Sequence, residues 1–157
     1  MYKINDYLVY QKDVCIVSNI EEKNNITYYI LHPLRDKSLK ITLPTTSDKI
    51  RDLITKEEIN NLIKISKDIP LIECDEKYIE AEYKRLLQDP TYENIIKVIK
   101  TSYTRNKLRQ EQNKKPSEKD TKYFNLAEEF LYNELSITLN LSYEETKEFF
   151  INQISNQ

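Results

Sequence analysis

Basic residues crowd one stretch of this 157-residue chain, where they could contact phosphate. Residues 97 to 115 carry seven lysines and arginines against one glutamate, a local charge of +6. Lys97, Lys100, Arg105 and Arg109 follow one another at three-, five- and four-residue steps, so a helix would carry them on roughly one side. Such groups contact phosphate without distinguishing bases, which indicates nonspecific DNA contact. A solvated helix face is the alternative interpretation.

Residues suited to catalysis or metal binding are few. His32 with Asp36 or Asp13 is the one candidate acid–base pair, and no nucleophile lies in a recognisable motif. A chain without glycine cannot build a Gly-rich phosphate loop. Cys15, Cys74 and the single histidine are too few for a four-ligand zinc site. We therefore expect no enzyme, cofactor, metal or small-molecule substrate, and a buried free thiol at Cys15.

The overall composition gives no strong attraction to nucleic acid, because 24 basic residues face 26 acidic ones. Charge is instead segregated, since residues 123 to 157 hold six glutamates and one lysine. No apolar run reaches the ~18 residues of a membrane span, and no apolar run of signal length opens the chain. These features predict a cytoplasmic protein without a membrane partner.

The first 54 residues predict a small antiparallel β barrel. Four runs rich in β-branched and aromatic residues recur about every ten residues, which is typical of a barrel or curled sheet. The runs span residues 2–10, 14–20, 26–31 and 39–44. Without glycine, the turns with positive φ must use Asn or Asp, and we expect them at Asn5–Asp6, Asn24–Asn25 and Asp36. Ser47–Asp48 should open a turn or short helix that continues through Leu53.

Everything after about Thr55 predicts helix, so the fold class is α+β, a barrel followed by a compact helical bundle. Capping boxes begin at Thr55 and Ser142, and Asp75, Thr91 and Ser117 should start three further helices. Residues 1–67 form the predicted β-rich domain, 68–75 a linker and 75–157 the helical domain. The predicted buried positions of the bundle are Ile79, Tyr83, Leu86, Leu87, Ile95, Ile96, Ile99, Tyr103, Phe124, Ala127, Leu131, Leu135, Tyr143, Phe149, Phe150 and Ile154.

In this order the elements resemble the CarD/CdnL family of bacterial transcription regulators. Residues 2–10, Tyr-Lys-Ile-Asn-Asp-Tyr-Leu-Val-Tyr, are similar to the family's opening, with Asn5 in place of a glycine. Residues 39–44 are similar to its fourth strand, and 50–54 to the segment that follows. The helical positions that match the family's spacing are Ile95 to Lys100, Ser117, Asp120, Ala127, Leu131, Glu134 and Leu135.

The resemblance implies a Tudor-like N-terminal domain that binds the RNA polymerase β subunit and a helical domain that contacts promoter DNA at the edge of the bubble. It implies polymerase contacts at Lys23, Lys40 and Thr42, where Thr42 replaces a basic residue common in the family. The chain has no Trp, so Tyr78 is the nearest candidate for the family's wedge at the DNA fork. The DNA-contact candidates are Tyr78, Lys84, Arg85, Lys97, Lys100, Arg105 and Arg109.

Two other functions stay open. One is a protein-interaction adaptor that uses the β domain on one partner and the acidic bundle face on another, without DNA. The other is a nonspecific nucleic-acid-binding protein. The dependence of binding on salt distinguishes them, because contacts through several lysines and arginines weaken steeply as salt rises.

Overall fold

The computed structural model describes residues 1–155, with side chains through Gln153, as an α+β fold whose strands precede its helices. The strands are β1 (Tyr7–Tyr10), β2 (Asp13–Lys23), β3 (Ile26–Pro33), β4 (Ile41–Pro44) and β5 (Ile50–Arg51). The helices are α1 (Lys56–Ser66), α2 (Ile79–Gln88), α3 (Tyr92–Glu111), α4 (Glu118–Leu139) and α5 (Tyr143–Ser155), with a 3-10 turn at Glu76–Tyr78 before α2. The predicted packing of Ile154 lies outside the described side chains.

The strands form one antiparallel sheet in the order β4-β3-β2-β1-β5. The prediction of a closed barrel is wrong, because β4 and β5 are the two edges of the sheet and do not pair with each other. Two short edge strands of four and two residues offer too few backbone groups to close a cylinder. The sheet therefore ends in an open edge along β4.

Strand β5 occupies the place where a turn or short helix was expected. Ile50 and Arg51 pair with Tyr10 and Val9 of β1, a contact too short to leave a periodic signal in the sequence. Strand β1 is also shorter than predicted, because it begins only at Tyr7.

Asparagine supplies most of the positive-φ positions of this glycine-free chain. Asn5, Asn24 and Asn25 have φ values of 75°, 54° and 65°, as predicted. Asp36 is not among the positive-φ residues, so that prediction is wrong. Asn140, with φ of 54°, ends α4 in the left-handed conformation that helix C-termini usually assign to glycine.

The predicted helix starts are largely confirmed. Thr55 and Glu58 form the capping box of α1, and Ser142 and Glu145 exchange the same pair of hydrogen bonds at α5. Thr91 and Ser117 cap α3 and α4 through their hydroxyl oxygens. Asp75 is an exception, because its side chain makes no capping hydrogen bond.

Two hydrophobic cores divide the chain near residue 54. The sheet core contains Leu8, Cys15 and Leu31 among others, whereas Ile54 and the buried side chains of α1 belong to the helical core. Helix α1 therefore packs with the bundle, although its residues lie inside the predicted segment 1–67. The segment 68–75 is also packed, because Ile69 is buried and the Ile72 N–H donates to Thr101 Oγ1 at 3.0 Å.

The buried carboxylate of Glu134 on α4 joins the sheet to the bundle. Arg51 of β5 donates to both of its oxygens, at 2.9 and 3.0 Å. The Ile54 N–H and the Tyr92 hydroxyl donate to Oε2 at 2.7 and 2.6 Å. One charged group therefore binds the last strand, the start of the helical core and the start of α3, a cluster that we call the Glu134 junction.

Phe130, one turn before Glu134, forms a second contact between the two parts. Lys12 Nζ and Arg35 Cζ lie 5.4 and 5.9 Å from the centroid of its ring. Arg35 is held there by Asp13, whose carboxylate accepts from the guanidinium at 3.0 Å. The sheet thus approaches α4 through cations on an aromatic face as well as through the Glu134 junction.

Candidate interaction surfaces

The open edge of β4 exposes backbone groups that the sheet does not use. The Thr45 N–H donates to the Thr27 carbonyl oxygen at 3.0 Å, which makes these two residues a hydrogen-bonded pair. Thr42 pairs with Ile30, three positions farther along the ladder. Because hydrogen-bonded and non-hydrogen-bonded pairs alternate, the N–H and C=O of Thr42 point away from β3. Within the described chain, β4 has a neighbour on the β3 side only.

The three predicted polymerase contacts lie on the sheet but not in one cluster. Thr42 is exposed on β4, and Lys40 is exposed directly before that strand. Lys23 is exposed at the tip of the β2–β3 hairpin, where it pairs with Ile26. On β3, Ile26 is the partner of Lys23 and Leu31 is the partner of Ile41, the first residue of β4. These two β3 residues are about 16 Å apart along the strand, so Lys23 lies far from the start of β4.

The candidate acid–base pair is not assembled. His32 Nδ1 lies 3.1 and 2.7 Å from the carbonyl oxygens of Lys37 and Leu39. Asp13 is paired with Arg35. Asp36 accepts from the Ser38 hydroxyl and N–H, and these bonds lower the pKa of the Asp36 carboxyl. His32, Asp13 and Asp36 therefore each bind another group of the fold, and the described contacts include none between His32 and either acid.

Lys100, a predicted phosphate contact, closes the end of α1. Its ammonium donates to the carbonyl oxygens of Ser66, Lys67 and Ile69 at 3.0, 3.2 and 2.6 Å. A lysine at this position satisfies orphan carbonyls and complements the negative end of the helix dipole. A phosphate contact by Lys100 would require it to leave these carbonyls.

Arg105 and Arg109 are also bound within the fold. Arg105 Nε donates to both oxygens of Asp120, at 3.1 and 3.2 Å, and the Tyr83 hydroxyl donates to the same carboxylate at 2.6 Å. Burial and the bond to Asp120 raise the pKa of Tyr83. Arg109 Nε donates to the Lys115 carbonyl oxygen at 2.7 Å. The prediction that Tyr103 faces the bundle is wrong, because 56% of it is exposed.

The other predicted DNA contacts lie at the surface. Lys84 pairs with Glu80 and Arg85 pairs with Glu82, each about one helical turn away on α2. Lys97 has no ion-pair partner among the residues described. Exposed pairs of this kind are worth little, so Lys84 and Arg85 can exchange a glutamate for a phosphate at low cost.

Tyr78, the candidate for the fork wedge, lies on the 3-10 turn before α2 and is 53% exposed. Lys77 Nζ is 5.0 Å from the centroid of its ring. An accessible aromatic ring beside an ammonium group is suited to stacking on an unpaired base.

Three acids on α4 are buried, and the sequence-based predictions above do not include their burial. Asp120, Glu128 and Glu134 are each at most 3% exposed. Their position in the sequence could have indicated this burial, because they occur on or beside the apolar stripe of α4 that contains Ala127 and Leu131. A carboxylate on such a stripe requires a cationic or hydrogen-bonding partner.

Neither the protein-family models nor the curated proteins compared with this chain give a match. Among the described residues, no helix combines the length and apolar character needed to cross a membrane. The same residues contain no group of three or more His, Cys, Asp or Glu side chains placed to hold a metal ion.

Proposed function

We propose that this chain is a bacterial transcription regulator that binds the RNA polymerase β subunit through the open edge of β4. The observation that carries the proposal is the outward-facing backbone of Thr42, which belongs to a segment resembling the fourth strand of the CarD/CdnL family. The resemblance in element order and spacing supports the choice of partner.

Binding at this edge works by strand addition. An extended segment of the partner can pair with the outward N–H and C=O of Thr42, and main-chain hydrogen bonds supply affinity without many specific side chains. Lys40 beside the edge and Lys23 at the hairpin tip add positive charge, which favours an acidic partner surface and raises the association rate.

Replacing Thr42 by proline tests strand addition. Proline removes an N–H that the β3 ladder does not use, and edge strands tolerate proline for this reason. Thr42→Val is the matched control, because it keeps the N–H and the β-branched shape. We expect Thr42→Pro, but not Thr42→Val, to weaken binding of the full chain to purified RNA polymerase β subunit. Equal affinities of the two variants, each with an unchanged circular dichroism spectrum, would refute the mechanism.

Contact with promoter DNA is the second part of the proposal. A regulator held on the polymerase needs only weak DNA affinity, and any preference for the open complex over the closed one shifts the balance toward it. The cations suited to this contact are Lys84, Arg85 and Lys97, with Tyr78 near the fork. Replacing Lys100 or Arg105 would damage the fold and so cannot test DNA contact cleanly.

An adaptor without DNA contact is the alternative, and it is favoured by the intramolecular bonds of Lys100, Arg105 and Arg109. The test is Lys84→Ala with Lys97→Ala, measured as promoter-DNA binding with polymerase present. DNA contact predicts that the slope of log affinity against log salt flattens by about 1–2, at about 0.9 per lost phosphate contact. An unchanged slope would favour the adaptor. Lys64→Ala, an exposed lysine of α1, is the matched control.

A further inference from the structure

An apolar cleft opens on the bundle between the end of α1 and helices α3, α4 and α5. Its volume is about 430 Å³, within the usual range of small-molecule sites. Its floor includes the buried side chains of Ile96, Tyr132 and Phe150. Tyr103 and Ile151 line it while 56% and 45% exposed. The cleft is built from bundle residues alone, so the proposed edge contact of β4 does not use it.

The charged groups bordering the cleft are three lysines and one acid, namely Lys67, Lys100, Lys147 and Glu128. Lys100 is occupied by the three carbonyls at the end of α1. Glu128 is 3% exposed and accepts from Lys147 Nζ at 3.2 Å. Lys67 is exposed, and its ammonium has no ion-pair partner among the described residues. The border therefore has more positive than negative charge.

These two properties define the chemistry of an occupant. The walls favour a hydrocarbon or aromatic body, since removing apolar surface from water is favourable. The cationic border favours a negative head group, because Lys67 is available and Lys147 is only partly buried. A cationic head group is disfavoured, since the one carboxylate is covered and already paired with Lys147.

We propose that this cleft binds a small apolar carboxylic acid, with its hydrocarbon against Ile96, Tyr103 and Phe150 and its carboxylate near Lys67 and Lys147. The cleft would then be a ligand site separate from the surfaces that contact polymerase and DNA. Failure of this proposal leaves the proposed function untouched, because the two rest on different residues.

The absence of tryptophan from the sequence provides the assay. Tyr103→Trp places a single tryptophan on the exposed wall of the cleft, and decanoate is the probe, kept below its micelle concentration. We expect a saturable change in tryptophan fluorescence with a Kd below about 1 mM. In the unaltered chain, saturation-transfer NMR of decanoate should report binding without any substitution. No saturation in either experiment up to 1 mM would overturn the proposal.

Two comparisons test the carboxylate. Lys67→Ala should weaken decanoate binding about two- to fivefold, the range of an exposed ion pair, and leave decan-1-ol binding unchanged. Lys64→Ala, in the last turn of α1 but outside the cleft, should change neither. Equal loss for both probes, or no loss for decanoate, would overturn the assignment.

Discussion

Replacing Glu134 should loosen the sheet from the bundle. In Glu134→Gln the amide oxygen can still accept from Ile54 or Tyr92, but the amide nitrogen is a donor and cannot pair with Arg51. Breaking a buried ion pair costs about 3–5 kcal/mol, and 43% of the Arg51 side chain is exposed and can regain water. We therefore expect a loss of about 2–4 kcal/mol, a large part of the 5–15 kcal/mol that stabilises a typical domain.

The assay is urea unfolding of the full chain, followed by circular dichroism and by tyrosine fluorescence. Glu129→Gln is the matched control, because it removes a half-buried charge from the same helix, and it should change stability by at most about 0.5 kcal/mol. A double-mutant cycle with Arg51→Ala should give a coupling of about 0.5–3 kcal/mol. A loss below 0.5 kcal/mol in Glu134→Gln would show that the junction does not hold the two parts together.

Three further predictions concern the two cores. Leu131→Ala should lower the free energy of unfolding by about 2–5 kcal/mol, because Leu131 is fully buried; an unchanged melting temperature would contradict this. Burial raises the pKa of Glu128 against the opposing effect of Lys147. The contribution of Glu128 to the free energy of unfolding is therefore greatest below its pKa in the unfolded chain, and it falls as the pH rises through its higher pKa in the folded chain. As the pH rises from 4 to 7, the free energy of unfolding of Glu128→Gln should therefore increase relative to that of the parent protein. Parallel dependences on pH in the two proteins would contradict this prediction. Cys74 is exposed while burial raises the pKa of Cys15 to about 12, so Ellman's reagent should modify one thiol in the native protein and two in urea; two fast thiols in the native state would refute it.

Local signals predicted the fold better than they predicted the surfaces. Capping residues such as Thr55 and Ser142, and the apolar spacing of Ala127, Leu131 and Leu135, depend on neighbours in sequence, and the structure confirms them. The open sheet could not be predicted, because closure depends on how far short edge strands reach.

The candidate site was harder to predict for a related reason. The charge pattern of the sequence places a cation on a helix but does not reveal the group that it binds. For Lys100, one such group is the carbonyl oxygen of Ser66, 34 residues away in the sequence. The same applies to Arg105 and Asp120, 15 residues apart on different helices. Sequence spacing therefore identified the basic face of α3 but not the groups that neutralise part of it.

The Glu134 junction also constrains the order in which the chain can fold. Its bonds span 83 residues to Arg51 and 42 to Tyr92, whereas β1, β2 and β3 pair through tight hairpins. Contacts between distant residues form late, because closing a long loop costs entropy before the contact is gained. On the ribosome, the hairpins can pair once residue 33 has emerged, but Ile54 and α1 must wait for most of α4. A nascent chain that has reached the end of α1, at Ser66, would then expose the side chains of that helix for roughly the time needed to synthesise the 70 or so residues that follow, about 4–14 s at ~5–20 residues per second.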